Sequence, residues 1–523
     1  MKAQDYKISS EKFVFRSQGE KLHDKKLETK PVSFFRDALN RFTKNKGSIL
    51  AAFIILILVL FAIIGPFCTP YEVAYEDPYY AFCLPKNELF YDLGIPFWDG
   101  GQEKSVNKFT YDQYRAIQEE LGRVVIMDEP EVTTEIYMKK ETEKYEFRLD
   151  TYNAVGAIFK LVTVEEYQRI QAYQDIFGVQ VILPVTDPKL RPSAPQDKDN
   201  ANIWFQTKAG KGNKTEIVYA RDASGNSTNE FINIYARNDG TDGYTSKMLW
   251  EDGDTKLYNY AIAKDNGNTM EIRVDYREYY IYRHYMAGDG ITEPTFLFGT
   301  NNAGKDIFTC LASGASFSFI LAILVSVVNL TVGAIYGAIE GYYGGKIDIL
   351  MERFVEILGS IPSMIVISLL KYHLHVSHIL ILFISFFLTG WTGMAGRTRM
   401  QFYRFKNQEY VLVSRTLGAN DRRVMFKHIF PNAIGTLVTS SVLVIPGVIF
   451  SETSLSYLGI VNLSTGNLTS VGTLLATGQN YLFTYPHMIL FPSLFISLLM
   501  LSFNLFGNGL RDAFNPSLRG TEE

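Results

Sequence analysis

Residues Asn407 to Leu437 read NQEYVLVSRTLGANDRRVMFKHIFPNAIGTL, and their fate decides what kind of chain this is. The first part is polar and basic, with Arg415, Arg422, Arg423 and Lys427 against Glu409 and Asp421, too hydrophilic to cross a bilayer. Gly418 breaks the helical pattern, Asp421 stands where it can cap the next helix, and Pro431 sits where an apolar run should begin. The stretch is expected to form a helix-turn-helix on a membrane surface and to lead into a span.

The flanking sequence supplies the membrane. The 523 residues are 47% hydrophobic yet average a hydropathy of zero, because two populations cancel. Apolar runs on the scale of a bilayer crossing, about 17–25 residues, lie at Ile49–Phe67, Phe317–Tyr336, Val376–Thr389 extended through Trp391, Ala433–Phe450 and Met488–Leu505. A shorter run, Ile357–Leu370, spans only if the charged turn before it (Glu352, Arg353, Glu356) continues the same helix. Six spans are expected. Between the first two, residues 72–294 hold 25 Lys and Arg against 38 Asp and Glu, so an acidic domain is inserted in a basic membrane portion.

Orientation follows from where the cations sit near the spans. The 47 residues before the first span carry 12 Lys and Arg against 6 acids, Arg397–Lys427 carries eight against two, and Ile460–Tyr485 carries none. Both termini are therefore expected in the cytoplasm, and 72–294 outside. The first apolar run begins only at Ile49 and continues without a small-residue cleavage site, so it is expected to stay as an anchor. The expected organisation is a cytoplasmic segment 1–47, a first span at 48–71, the inserted domain 72–294, a membrane core 295–514 containing the loop 407–432, and a tail 515–523.

The inserted domain reads as a β-rich α+β unit. Met270–Tyr276 and Tyr145–Leu149 alternate apolar and polar residues, while Leu257–Ala263 and Phe231–Ala236 are rich in β-formers. Turn signals stand at Asn238-Asp239-Gly240, Asp242-Gly243, Asp252-Gly253 and Asn266-Gly267. Tyr111–Gly122 followed by Val124–Met127 resembles Val164–Gly178 followed by Val179–Leu183, which suggests a helix-then-strand repeat. The tyrosines of Glu278-Tyr279-Tyr280-Ile281-Tyr282 could stack on a ligand, but on a strand they read rather as core and cross-strand packing. With one histidine, His284, and one cysteine, Cys83, the domain offers no catalytic signature, and a binding or docking module is the expectation. Cys68, Cys83 and Cys310 form no regular framework and are expected to be packing residues.

One motif could point to nucleotide chemistry. Phe298–Ala315 reads FGTNNAGKDIFTCLASGA, with G-x-x-x-x-G-K at Gly299–Lys305. A phosphate loop needs a hydroxyl after the lysine to hold Mg²⁺, and this chain offers Asp306, so no nucleotide site and no cofactor are expected here.

Asn407–Leu437 resembles the coupling loop of bacterial ABC importer permeases, whose motif runs E-A-A, three residues, Gly, nine residues, Ile-x-Leu-Pro. Gly418 and Pro431 stand at that separation, Leu417-Gly418-Ala419 matches the Leu-Gly-Ala of the oligopeptide and dipeptide branch, and His428-Ile429-Phe430-Pro431 is similar to its His-Ile-Leu-Pro. Leu412-Val413-Ser414 departs from Glu-Ala-Ala. EGYYGGKID (Glu340–Asp348), SIPSMIV (Ser360–Val366), ETSLSYLG (Glu452–Gly459) and FNLFGNGLRDAFNP (Phe503–Pro516) resemble further motifs of that branch. The glycine loop before the second span is similar to its Gly-Thr-Asp-x-x-Gly-Arg-Asp-x-x-Ser, with Asn301, Lys305 and Thr309 as replacements. The likeness covers about residues 34–71 and 296–516.

The resemblance implies a polytopic α-helical membrane protein with six transmembrane helices of the type I ABC importer (MetI-like) fold, moving oligopeptides or dipeptides by alternating access. It implies a second homologous permease, two ATP-binding subunits that use ATP and Mg²⁺, and an external peptide-binding protein. The chain itself would be no enzyme and bind no nucleic acid, and it would touch membrane lipid. Leu417, Gly418, Ala419, Asp421, Arg422, His428 and Pro431 would form the ATPase-coupling loop. Gly359, Pro362 and Gly393 read either as pathway hinges or as small residues of packed membrane helices. Glu452 reads either as a functional intramembrane charge or as a helix-end residue. His373, His375 and His378 lack acidic or cysteine partners and are taken as interfacial rather than metal-binding. Import of another small solute, such as a nickel chelate, is the alternative within this class; a membrane-anchored receptor or ectoenzyme is the alternative outside it.

Overall fold

The computed structural model of the chain describes residues 34–514 apart from 94, 138–139, 193, 195–196, 211–213, 237–243, 246–249, 253–254, 258–260, 266–267 and 464–466. Residues 1–33, the tail 515–523, and the turn signals at Asn238-Asp239-Gly240, Asp242-Gly243, Gly253 and Asn266-Gly267 lie outside the described residues. Helix α1 (Phe34–Phe42) leads to α2 (Lys46–Ile64), which starts where the Asn45 side chain accepts the amides of Gly47 and Ser48. A 3-10 turn at Gly65–Phe67 prolongs this first span.

From there the chain enters the inserted domain. A short helix α3 (Glu88–Asp92) precedes a body built twice on one plan. In the first copy, β1 (Gly101–Asn107) runs into α4 (Lys108–Leu121), then through a bridge at Ile126 to the hairpin β2 (Glu131–Tyr137) and β3 (Lys140–Asp150), with β3 antiparallel to β1. In the second, β4 (Ala157–Thr163) runs into α5 (Val164–Phe177) and β5 (Ile182–Leu183), and after a long excursion of small hairpins the strand Thr269–Asp275 returns antiparallel to β4. The correspondence reaches single hydrogen bonds. Gly122 and Gly178 each end a helix with positive φ. The side-chain oxygen of Gln118 accepts the amides of Val125 and Ile126, and that of Gln174 accepts those of Val181 and Ile182. The helix-then-strand similarity in the sequence is thus a structural repeat.

Charge locks the two copies together. Arg273 of the second copy is fully buried and grips both carboxylate oxygens of Glu120 in the first, while Arg123 of the first pairs with Asp275 of the second. A tyrosine core lies behind them, and here the strand reading of Glu278–Tyr282 is corrected. These residues belong to helix α6 (Tyr276–Ala287), capped by Asp275. Burial of Tyr276, Tyr279 and Tyr280 at helical spacing overrides their β propensity, and Tyr280 donates to the Tyr71 hydroxyl at 3.1 Å. The stretch Phe231–Ala236 likewise leaves its strand at Phe231 and continues only as single bridges from Asn233 and Tyr235.

The membrane core begins with α7 (Ile307–Tyr343), capped by Asp306 through the amides of Phe308 and Thr309. It continues with α8 (Gly345–Gly359), α9 (Ser363–His373), α10 (His378–Phe405), α11 (Glu409–Thr416), the turn α12 (Asp421–Arg423), α13 (Phe430–Val442), α14 (Val444–Tyr457), α15 (Val471–Gln479) and α16 (His487–Phe514). Among the described residues, five helical stretches are long and apolar enough to cross a membrane: Lys46–Phe67, Ile307–Tyr343, His378–Phe405, Asp421–Tyr457 and His487–Phe514. The charged turn Glu352–Glu356 does continue into Ile357 within α8, but the run Ile357–Leu370 is itself broken after Gly359, where α8 and α9 meet at a 71° bend. Pro362 has no amide hydrogen for α8 and disfavours helix in the residue before it, so the chain breaks there.

The longest packing seam joins α7 to α10. A Cβ on Gly333 would lie 2.6 Å from Met394 Cβ, one on Gly337 would lie 2.1 Å from the Ala395 carbonyl oxygen, and one on Gly341 2.7 Å from that of Arg399. Three glycines four residues apart strip a stripe of α7 bare so that the backbones touch, the usual way for helices to associate where lipid offers no hydrophobic gain. Gly337→Leu is expected to prise the seam open, seen as lost monodisperse protein and a lowered unfolding temperature in detergent, whereas Gly396→Ala, with open space at its Cβ, should leave both unchanged. In the inserted domain, Glu120→Ala strands a buried guanidinium. The expected loss is about 3–5 kcal/mol, measured as faster hydrogen exchange in the strand Thr269–Asp275.

Candidate coupling segment

At the end of α7 and α10 away from the inserted domain, α11, α12 and the turn between them form a platform. A cluster of Ala338 and Tyr342 from α7, Phe402 from α10, and Val411, Val424, Met425 and Ile429 from the segment fastens it to the helix ends. Its outward face is bare: Leu412, Val413 and Leu417 are exposed, Leu417 by 82%. Gly418 at the tip has φ +82°, a left-handed conformation that costs any L side chain energy, although its Cβ direction is empty. The sequence therefore has glycine here for the bend and not for space.

The cap after the bend differs from the sequence expectation. Asn420, not Asp421, caps α12, its side-chain oxygen accepting the Arg423 amide at 2.9 Å. Both residue types cap equally well, and a tertiary partner takes Asp421: the Tyr342 hydroxyl donates to its carboxylate. The Arg415 guanidinium lies over the same tyrosine ring, 4.9 Å from its centre. Lys406, just past α10, donates to the Gly341 carbonyl at 3.0 Å near the end of α7, where a cation opposes the helix dipole. Burial lowers the Lys406 pKa, with Asp348 opposing. Tyr410 accepts a hydrogen bond from Asn432 at 3.2 Å, and burial raises its phenol pKa.

Beyond α12 the helix widens into a π-type turn at Val424–Ile429, which contains His428, and Pro431 is the second residue of α13. Ala419 packs at the edge of the cluster, while Arg422 points outward with Arg423. A second tie steadies the platform's base: Arg399 of α10 binds both oxygens of Asp348 on α8, at 2.6 and 2.9 Å, and Tyr403 donates to the same carboxylate.

The other candidates lie elsewhere. Gly359 ends α8, Pro362 precedes α9, and both stand at the 71° bend; Gly393 is within α10, with open space at its Cβ. Glu452 is fully buried in α14, five residues before the helix ends at Tyr457, and accepts hydroxyls from Ser318 of α7 at 2.8 Å and Ser456 at 2.9 Å. His373 and His375 are exposed, and His378 bonds the Asn462 carbonyl; among the described residues no group of three His, Cys, Asp or Glu could hold a metal ion. Tyr342 was not distinguishable from its neighbour Tyr343 by sequence, and only its place in the EGYYGG stretch hinted at a role.

The glycine-lysine loop Gly299–Lys305 turns most of its amides onto the chain itself. Asn301 Oδ1 accepts those of Ala303 and Lys305, and the Gly304 amide donates to the Asn301 carbonyl. Gly299 and Gly304 have positive φ and press on the backbone of Cys83 and Asp77, where a Cβ would lie 2.4 and 1.8 Å from the carbonyl oxygens.

The family model described as the binding-protein-dependent transport system inner membrane component matches residues 329–520, and that of the N-terminal TM domain of oligopeptide transport permease C matches residues 33–85. The oligopeptide transport system permease protein OppC of Bacillus subtilis is 41% identical over 222 residues, covering 42% of this chain and 72% of the relative. The chain belongs to this permease family. OppC of Haemophilus influenzae is 38% identical, over 45% of this family member and 74% of the relative. The dipeptide transport system permease protein DppC of Bacillus subtilis is 37% identical, over 42% and 69%. The platform falls within the matched core, whereas most of the inserted domain lies between the two matched stretches.

Tyr342→Phe removes the hydroxyl that ties this permease's platform to α7 without altering the ring under Arg415. The expected cost is about 1–1.5 kcal/mol, seen as faster amide exchange in Glu409–Thr416 with α10 unaffected.

Proposed function

We propose that the chain is the transmembrane permease subunit of an ABC importer that carries oligopeptides or dipeptides inward by alternating access. The observation that carries this reading is the platform: short helices with an apolar, outward face at Leu412, Val413 and Leu417, mounted on the ends of two long helices, suit a docking groove on an ATPase. Two cytoplasmic ATP-binding subunits supply the ATP and Mg²⁺ chemistry, and the chain has no ATPase site of its own. The relatives' names support the peptide substrate.

In this reading α8 with α9 counts as one broken span, giving six. The distribution of Lys and Arg supports both termini, and the platform, on the cytoplasmic side of a bacterial plasma membrane, with residues 72–294 outside. A second homologous permease completes the pathway, and an external peptide-binding protein delivers to it. Leu417, Gly418, Ala419, Asp421, Arg422, His428 and Pro431 serve coupling; Gly359, Pro362 and Gly393 serve as hinges, and Glu452 as a latch between α7 and α14.

Gly418→Val tests the coupling role. A β-branched residue in the left-handed region costs at least about 1–2 kcal/mol and distorts the tip. ATP-driven uptake of a labelled peptide into vesicles holding the assembled transporter should fall severely, while hydrolysis by the ATPases persists. Undiminished uptake would overturn the assignment.

A further inference from the structure

The inserted domain has an apolar stretch that nothing else among the described residues covers. α3 and the residues after it present Leu89 and Leu93, four positions apart and so on one side of the turn, at 73% and 71% exposure, with Phe97 also exposed. Their neighbours turn inward. Phe90 and Trp98 pack with ring centres 5.2 Å apart, and the Trp98 indole donates to the Leu297 carbonyl at 2.9 Å.

Two contacts fix the height of this stretch. The rings of Phe97 and Trp98 lie 6.1 and 6.5 Å from that of Phe491, near the start of α16. Leu89 lines a cleft of about 540 Å³ together with Cys68, which follows the first span, and Phe308, the second residue of α7. The stretch lies across the ends of three spanning helices, and the last residues of the first span, Ile63, Ile64 and Phe67, are exposed there too.

We infer that Leu89, Leu93 and Phe97 insert into the lipid surface around α2, α7 and α16 and hold the inserted domain down on the membrane. An in-plane anchor needs apolar side chains on one side and an amphipathic ring at the boundary between hydrocarbon and headgroups. Trp98 supplies that ring, its apolar body against Phe491 and its N–H on a backbone carbonyl. Large apolar side chains exposed together mark an interaction surface, and continuity with the apolar ends of the spans makes the acyl chains of the bilayer the partner. The inference rests on α2, α7 and α16 crossing the membrane and not on which side the domain faces.

The test uses the full chain in phosphatidylcholine nanodiscs, where both faces are open to reagents, so an error in sidedness leaves the result unchanged. Nitroxides are placed by Leu89→Cys or Leu93→Cys, with Leu190→Cys as a reference elsewhere on the inserted domain, after replacing the native cysteines with alanine. The ratio of collision with oxygen to collision with a water-soluble nickel chelate should be several-fold higher at 89 and 93 than at 190. Equal ratios would show water at the site, and protection from both reagents would show a protein there; either overturns the proposal. The unaltered chain gives a second readout that does not depend on the variants folding: phosphatidylcholine with a photo-activatable acyl chain should cross-link to the peptide containing residues 88–98. Failure to label that peptide, while peptides of the spans are labelled, overturns it as well.

Discussion

Backbone contact between α7 and α10 is the constraint from which the remaining arrangement follows. In lipid two apolar helices gain nothing by hiding from their solvent, so their association depends on close packing, and Gly333, Gly337 and Gly341 permit it only by having no side chain. Once α7 lies against α10, its last turn brings Tyr342 under Arg415 and Asp421 and the Gly341 carbonyl under Lys406. The platform then takes its position from the seam. α11 is eight residues long, far below the length at which a helix persists alone in water, so tertiary contacts must hold it.

The spans were legible because twenty apolar residues in a row have few other fates, and the bend at Gly418 because only the positive φ demands glycine there. Part of what escaped the sequence reading shares one cause: local choices of equal merit were decided by a distant partner. Asn420 and Asp421 cap equally well, and Tyr342 decides between them. Tyrosines at 279, 280 and 282 suit a strand or a helix, and the Asp275 cap with burial against Tyr71 selects the helix. The repeat was visible as a similarity of short segments, but Gln118 and Gln174 gain their shared meaning only when each is seen bonding the strand that follows its helix.

Glycines at 299 and 304 teach the same lesson from the other side. A motif spaced like a phosphate loop needs its glycines for close approach, yet what approaches is the chain's own backbone at Cys83 and Asp77. That packing fastens the inserted domain to the start of α7. Thr69 and Thr309 share a hydrogen bond of 2.7 Å, Lys305 pairs with Glu76 at 3.2 Å, and the Cys83 amide donates to Thr300 at 2.8 Å. His487 at the start of α16 bonds the Thr300 carbonyl at 3.1 Å, so a third helix end joins the knot.

The domain therefore braces the ends of α2, α7 and α16 against one another, and a transport cycle has to open elsewhere. The loosest part of the core is α8, in which Asp348 is the sole buried residue, followed by the break at Pro362. Asp348 is also the carboxylate held by Arg399, and the other ties of α8 lie in its middle, where the Met351 carbonyl accepts the Tyr336 hydroxyl at 2.9 Å and Glu352 stands 3.7 Å from Arg399. A displacement of the platform would pass through these ties in the first half of α8 into a helix pair already bent by 71°. Rigidity at the braced end and compliance at α8 and α9 are what a helix bundle needs if movement at one face is to change the opening at the other without pulling the inserted domain apart.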